Sequence, residues 1–478
     1  MHNKNFVHEN IDVSKRSSNI KNGHALRHIR HSPNTKQCYL RFNATLYPIV
    51  DYSAFGVAIE SAHEITKETI DDATLIYEQE NAGSLNLRLV RQQPDNNGNT
   101  ITAFEILNEP ISFSRLEAIK LGQGITDSQQ QYAKNLATIP DTAKAMIYEI
   151  KDWFEHLSDE IAKLQESFSY TNESSIRQFE DTITNMIANY LRTSLNPKLD
   201  TFAEILKQHS EETQKLSTTF LQAKLSYLIH QSPFADRVYN KPLGYAGDFE
   251  MMNLIYRQET VGRSLFARCL QRYYIDEPAA QAVRNRADYL ESVITPLIHI
   301  TSEEPLDMLS VACGPAMEWQ KILTNNSEWS RPVHAELLDQ DTQALQYAQT
   351  EMRRLNRNAI VNLQFTYTNA AIKNVIARGV SNKSYDLIYS AGLFDYLSDS
   401  VARKAAESLH KGLKPGGKLI IGNFNINNPT TLLMDYALDW QLIYRSEEDL
   451  IKLFTGIGTD IEVQKEPLGI NLFCVIQK

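Results

Sequence analysis

Four cysteines in 478 residues, Cys38, Cys269, Cys313 and Cys474, lie far apart and form no C-x-x-C pair. That excludes the usual zinc-ligand spacings and a disulfide framework, so no metal site is expected, and it fits a chain kept in a reducing cytoplasm. No apolar run approaches the roughly 20 residues of a membrane span, and the N-terminus has polar residues and histidines where a signal peptide needs an apolar run. Positive charge is also short: 48 Lys and Arg against 58 Asp and Glu give a formal net charge of -10. No basic patch interleaved with aromatics interrupts that field, so no nucleic-acid partner is expected. What is present is ordinary for a globular chain, 42% hydrophobic and 22% charged residues. At about 100 to 200 residues per domain the length allows roughly two to four domains.

Residues 1–35, rich in Asn, Ser, Lys and His, read as a mobile arm. From 36 to 125 the pattern is β. "YLRFNATLYPIVDY" and "FGVAIES" are strands around a turn, and Leu85, Leu87 and Leu89 alternate before a turn at "PDNNGN" and a return strand "TITAFEIL". This predicts a small β-barrel. From 126 to 235 long helices take over. Ile147, Ile150, Phe154, Leu157, Ile161, Leu164 and Phe168 recur at spacings of three and four, and Ile176, Phe179, Ile183, Met186 and Tyr190 repeat the pattern. Two readings follow: a spacer or dimerisation module through which a homodimer would form, or an antiparallel helical pair within one subunit. Residues 236–302 hold a turn-rich loop and cap helices. From 303 to 478 strands alternate with helices, which predicts an α/β fold, a doubly wound parallel sheet with crossover helices.

The first strand of that sheet runs into "LDMLSVACGPAMEW", residues 306–319, where Cys313, Gly314, Pro315 and Ala316 make the tight turn that lets a backbone approach a ligand. A second strand, in "PVHAELLDQD", ends at Asp339 and Gln340, about 25 residues past the glycine turn, where an acid suits two ribose hydroxyls. Asp341 is the alternative acid. A third strand ends at Asn369 and Ala370, and a fourth, "SYDLIYSAGLFDYL", at Ser390, Ala391 and Gly392. A fifth, "LKPGGKLIIGNF", is expected to begin after a Pro-Gly-Gly turn. All the strand ends converge on one edge, where open α/β sheets bind ligands.

In order and spacing, "LSVACGPAMEW", "LLDQD", "FTYTNA", "YDLIYSAGLFDYL" and "LKPGGKLIIGNF" resemble the successive motifs of class I S-adenosylmethionine-dependent methyltransferases. The resemblance implies a Rossmann-like domain over 303–478, S-adenosylmethionine as cofactor, and Cys313, Gly314, Pro315, Asp339, Gln340, Asn369, Ala370, Ser390 and Gly392 around it. It departs from the G-x-G-x-G form at Pro315 and Ala316, and Asn369 stands where many relatives carry Asp. The backbone still turns, and an Asn side chain still pairs with the adenine amino edge.

Upstream, "KPLGYAGDFEMMNLIY", residues 241–256, has Gly244 and Gly247 for a compact loop and Asp248 to cap the helix that follows. Downstream, "GNFNINNPTTLLMDYALDWQLIYRSEEDL" contains Trp440 and Arg445, in a helix-to-strand context. Over roughly residues 220–478 these stretches are similar to the methyltransferases called 3-hydroxypalmitic acid methyl ester biosynthesis proteins. That likeness implies methylation of the carboxyl group of a (3-hydroxy) fatty acid, giving a methyl ester signal in bacteria. A carboxylate is already ionised at neutral pH and needs no general base, whereas the fourth strand lacks the Asn/Asp-Pro-Pro-aromatic clamp of amino-group methyltransferases. Tyr245, Asp248 and Arg445 are the candidate catalytic residues, Tyr396 a further partner for the acid, and 241–256 a lid with Tyr245 and Asp248 facing the site.

"DYSAFG", residues 51–56, resembles the D-x-S-x-x-G signature of PilZ domains, which bind cyclic di-GMP as a regulatory ligand. Arg27 and Arg30 in "RHIRH" stand near the arginine pair of such domains, one residue short of its spacing. Three functional readings therefore stand side by side: a fatty-acid carboxyl methyltransferase, a methyltransferase for another small metabolite, and a cyclic-di-GMP-responsive regulatory protein with an inactive methyltransferase domain.

Overall fold

A computed structural model describes residues 30–33, 37–95, 97–167, 173–325, 329–356, 362–380 and 383–478. Most of the expected arm, with Arg27, lies outside them. The chain divides into two compact units, residues 1–137 and 138–478.

In the first unit, strands β1 (Cys38–Phe42), β2 (Thr45–Ser53), β3 (Gly56–Ser61), β4 (Thr69–Tyr77), β5 (Glu80–Pro94) and β6 (Thr100–Ile106) close into a barrel in the order β1-β2-β3-β6-β5-β4. Every pairing is antiparallel, and β1 joins β4 to shut the ring. Two of the hairpins turn on residue pairs in the left-handed region, Asn43-Ala44 and Glu78-Gln79, the geometry whose twist matches that of the flanking strands. Inward-facing Leu40, Val57, Ile59, Ala73, Leu87 and Phe104 fill the interior. Helix α1 (Phe113–Thr138) follows and puts Leu116 into this core.

In the second unit, α2 (Asp141–Ser167), α3 (Glu173–Leu206) and α4 (Glu211–Ile229) come first. The first heptad run behaves as its spacing predicts: Ile147, Ile150, Phe154 and Ile161 are buried, and α2 packs against α3 and α4 within the chain. Phe168 lies outside the described residues. The second run does not mark the buried face. Met186 is 62% and Tyr190 45% exposed, while the inward stripe is Thr184, Ala188, Leu191, Leu195, Leu199 and Phe202. That stripe is also spaced by threes and fours, with two fours in succession at Leu191, Leu195 and Leu199, a few residues round the helix. It carries the leucines of the C-terminal half, which offer more apolar area than the mixed N-terminal half.

Short helices α5 (Pro233–Asn240), α6 (Phe249–Arg257) and α7 (Leu265–Ile275) lead to α8 (Pro278–Ile298) and the sheet. Its elements are β7 (Leu306–Val311), α9 (Met317–Asn325), β8 (Val333–Asp339), α10 (Thr342–Leu355), β9 (Leu363–Asn369), α11 (Ile372–Arg378), β10 (Tyr385–Ser390), α12 (Asp399–Lys411), β11 (Leu413–Phe424), α13 (Glu447–Phe454), β12 (Asp460–Lys465) and β13 (Asn471–Gln477). The seven strands lie in the order β12-β13-β11-β10-β7-β8-β9, with β7 to β11 parallel and β13 antiparallel to both its neighbours. The chain runs outward from β7 to β9, then returns to β7's other side as β10. That reversal is a topological switch point, and a crevice opens outside the carboxyl ends of β7 and β10.

Alternate residues of the same strands supply two cores. Met308, Leu337 and Tyr389 face α8, α9 and α10; Leu309, Leu338 and Ile388 face α12 and α13. The expected Pro-Gly-Gly turn is not a boundary. Pro415, Gly416 and Gly417 lie inside β11, absorbed as a bulge between the pairs Tyr385–Leu413 and Leu387–Lys418, with Gly416 at φ +80°. Trp440 and Arg445 likewise do not sit between a helix and a strand: after a single π-turn at Leu433–Ala437 the chain runs irregularly to α13. Among the described residues no helix is long and apolar enough to cross a membrane.

Candidate functional site

Beyond β7 the backbone enters the left-handed region three times in five residues, at Ala312 (φ +54°), Gly314 (φ +52°) and Ala316 (φ +51°). For alanine this costs about 1 to 2 kcal/mol per residue, a strain that surrounding structure must hold. Asp339 does the holding. Its Oδ2 accepts the Gly314 amide at 2.9 Å and its Oδ1 the Asp341 amide at 2.9 Å, while Cys313 N donates to Leu338 O at 3.1 Å. Burial pushes the Asp339 carboxyl upward, opposed by those amides. Asn369 closes the rim from β9, donating through Nδ2 to Asp339 O (3.1 Å) and Gln340 O (3.0 Å). A Cβ added at Gly314 would meet nothing within 4 Å, so the turn presents open backbone.

The loop 241–248 covers this rim. Lys241, at φ +47°, ion-pairs with Asp439 at 2.7 Å, and Gly244 turns at φ +93°. Tyr245 is half-buried, its hydroxyl pushed up first by burial and then by the charges of Asp339, Asp341 and Asp248. Gly247 is required by close approach: a Cβ there would sit 2.7 Å from the Tyr396 hydroxyl, which accepts from Trp440 Nε1 at 2.9 Å. Asp248 caps α6, taking Met251 N and Arg237 Nε at 2.8 Å each.

Together these elements enclose a cavity of about 310 Å³. Of the residues expected around the cofactor, Cys313, Gly314, Pro315, Asp339, Gln340, Ala370 and Gly392 line it, as does Tyr245. Five expected residues are not in its wall. Asp248 is fully buried and turned to Arg237 and the α6 amides, and Asn369 is used on the strand ends. Ser390 is buried beneath the wall, and Asp341 is the N-cap of α10. Arg445 is the clearest correction. Its guanidinium is spent on Phe394 O, Leu397 O, Asn423 Oδ1 and Asp399, where it fastens the irregular 438–446 segment to the chain after β10. The fully charged fork that made it a candidate for an acid also makes it a good lock for carbonyl groups.

Arg286, Glu318, Asp395 and Tyr256 line the cavity without having been singled out in the sequence. Glu318 is 6% exposed and accepts from Tyr389 OH at 2.8 Å; burial raises its carboxyl. Asp395 accepts the Phe424 amide at 2.6 Å, and burial pushes it up to about 6. Glu318 had one signal, an acid two residues past the turn on the first turn of α9; Arg286 sits in a helix that reads as ordinary amphipathic structure. The Cys313 thiol is held well above its ordinary value by burial and is no nucleophile. The four cysteines are free and buried, and no cluster of metal-binding side chains occurs among the described residues. A second cavity of about 20 Å³ shares Val283, Phe424 and Trp440 with the first and is lined mainly by apolar side chains, among them Phe234, Ile255, Leu433 and Met434.

Residues 309–419 match the family described as "Methyltransferase domain". On a sheet of this topology, the C-terminal part of the chain is a class I S-adenosylmethionine-dependent methyltransferase domain, and the protein a methyltransferase. No curated protein matches the chain at significant similarity. Solved structures similar to it include a protein of Bordetella parapertussis titled a possible exported protein, 18% identical over 54% of this chain and 96% of that one, TM-score 0.40. Another is magnesium protoporphyrin IX methyltransferase of Synechocystis with bound S-adenosylhomocysteine, 14% identical over 51% and 99%, TM-score 0.35. A third is the N-methyltransferase NodS of Bradyrhizobium japonicum, 16% identical over 42% and 89%, TM-score 0.29. At these TM-scores none bears on what this chain binds.

Proposed function

We propose that the protein methylates the carboxyl group of an acyl acid, a (3-hydroxy) fatty acid being the best fit. The observation that carries this reading is the apolar side of the main pocket, where Phe249, Met252, Val283, Phe424, Trp440 and Leu442 line the space beside the strand ends. An acyl chain gains about 0.8 kcal/mol for each methylene it buries, so an apolar wall beside the strand ends favours such an acceptor over a small polar one.

The residues fit the cofactor. Gly314 offers open backbone, and each oxygen of Asp339 accepts one amide and keeps a lone pair for a ribose hydroxyl, with Gln340 beside it. Cys313, Pro315, Ala370 and Gly392 supply close-packed walls. When bound, S-adenosylmethionine supplies a methyl group on a sulfonium, which a carboxylate oxygen takes as the carbon–sulfur bond breaks, leaving a methyl ester and a neutral thioether. The protein's part is alignment and exclusion of water. Tyr245 and the side chains of Phe249 and Met252 close the pocket from the 241–256 segment, methionine adapting to an irregular chain. The acid arrives ionised, so no base has to be found.

Lipid extracts from cells expressing the protein and fed methyl-labelled methionine should contain labelled fatty acid methyl esters. Label confined to non-lipid metabolites would put the alternative, another small acceptor, in its place.

A second reading concerns the barrel and rests on Arg30, which ion-pairs with Asp51 beside Ser53 and Gly56. Those residues are the ones a PilZ-like site would use for cyclic di-GMP. A ligand that binds only the folded state raises the melting temperature, so the nucleotide should raise that of the full chain. No shift at high concentration leaves the barrel without this ligand.

A further inference from the structure

Arg286 on α8 is a buried cation to which the described residues give no carboxylate partner. The side chain is 8% exposed and lines the main pocket. Arg284, two residues earlier, shows what a structural arginine on the same helix looks like. It donates to Ile275 O, Ile255 O and Gln281 Oε1. Arg286 has a 3.4 Å contact to Ala391 O, a 3.2 Å contact to the Met252 sulfur and the neutral Tyr256 hydroxyl beside it, and its Nε is buried with no partner. Among the described residues no carboxylate oxygen lies within 4.0 Å of its guanidinium nitrogens. A guanidinium does not deprotonate in a protein, and leaving one buried and unpaired is costly. Two acids whose charges it feels are turned elsewhere: Glu318 to Tyr389, and Asp395 to the Phe424 amide. The fork has a built seat as well. A Cβ at Gly392 would lie 2.7 Å from Nη1 and 3.1 Å from Cζ, so only glycine at the end of β10 lets the guanidinium lie there.

We propose that Arg286 is the anchor that receives a carboxylate of a small molecule bound in this pocket. This rests on the methyltransferase reading and deepens it. Two bound molecules bring a carboxylate to the switch point: the cofactor through its amino-acid end, and an acid acceptor. In the second case one oxygen is held by the guanidinium and the other is free to take the methyl group.

Calorimetry on the full chain and on Arg286→Gln separates the two. S-adenosylhomocysteine and 5′-methylthioadenosine differ by the amino-acid end; dodecanoate and dodecanol differ by the acid. If Arg286 holds the cofactor, the variant loses about tenfold or more for S-adenosylhomocysteine and little for 5′-methylthioadenosine. If it holds the acceptor, S-adenosylhomocysteine is unchanged and dodecanoate alone weakens, by a similar factor. All four affinities within about twofold of wild type would overturn the assignment. Should the glutamine variant not fold, Arg286→Lys keeps the charge and loses the fork, and the same patterns apply with about a threefold loss. A wild-type chain that binds neither nucleoside would defeat the methyltransferase reading, while the dodecanoate and dodecanol pair would still decide Arg286.

Discussion

Asp339 joins three strand ends through two backbone amides and its own carbonyl, so its removal acts on the glycine turn as well as on any ligand. Asp339→Ala should weaken S-adenosylhomocysteine binding by about tenfold or more, since hydrogen bonds to a charged group contribute roughly 1.5 to 3 kcal/mol. Unchanged affinity by calorimetry would move the ribose contact off this residue. Asp395 gives a test in pH. Its folded carboxyl titrates near 6 because burial penalises the charge, whereas in the unfolded chain it titrates near 3.8. The folded state therefore keeps its proton longer, and the contribution to stability is present below about pH 4 and lost as pH rises to about 6. Asp395→Asn is neutral throughout and should gain on wild type across that window, by on the order of 1 to 3 kcal/mol. Asp435, pushed up to about 7, is present in both proteins and cancels in the difference. Melting temperatures whose difference stays flat from pH 4 to 7 would contradict this. Residues such as Cys313, Gly314 and Asp339 were legible because a tight turn and a strand-end acid leave a contiguous trace. Arg286 was not, since a helix of ordinary amphipathic pattern hides which polar residue points inward, and Arg445 misled because type and position do not show what a guanidinium binds.

At the scale of elements, the segment 241–256 depends on three local devices: the left-handed Lys241, the Gly247 approach to Tyr396, and the Asp248 cap. The cap was readable in "GDFEMM", because an acid before an apolar-periodic run is a helix entry; which of Tyr245 and Asp248 faces the pocket was not, because that depends on Arg237 reaching Asp248 from α5. Tyr245→Phe should lower turnover more than cofactor affinity, by about threefold or more, as expected for loss of one hydrogen bond in the transition state. Wild-type kinetics would leave the tyrosine a packing residue. Elsewhere, periodicity found the helices but not their phase. In α3 the leucine stripe and the Met186-Tyr190 stripe are both spaced by threes and fours, and only burial separates them. β4 was hidden for a related reason: "TIDDATLIY" carries Asp71 and Asp72 side by side, and its alternation is broken by an irregularity between Ile70 and Ala73.

On the scale of the whole molecule, the alternation of strands and helices after 303 made the sheet legible, since a parallel sheet needs crossover helices and leaves that rhythm in sequence. The helical region was less so. Its helices α2, α3 and α4 belong to the same compact unit as the sheet: Arg192 of α3 meets Glu277 at 3.0 Å, and Phe202 meets Tyr436 edge-on. Such long-range contacts leave no local pattern. The central claim lays an acyl chain along the apolar wall of the main pocket, and the most direct measurement is the rate of methyl ester formation by the purified full chain from labelled S-adenosylmethionine across acids of rising length. The account predicts negligible transfer to acetate and rates that climb with each methylene up to the pocket's limit; equal rates on acetate and long-chain acids, or no ester from any acid, would contradict it.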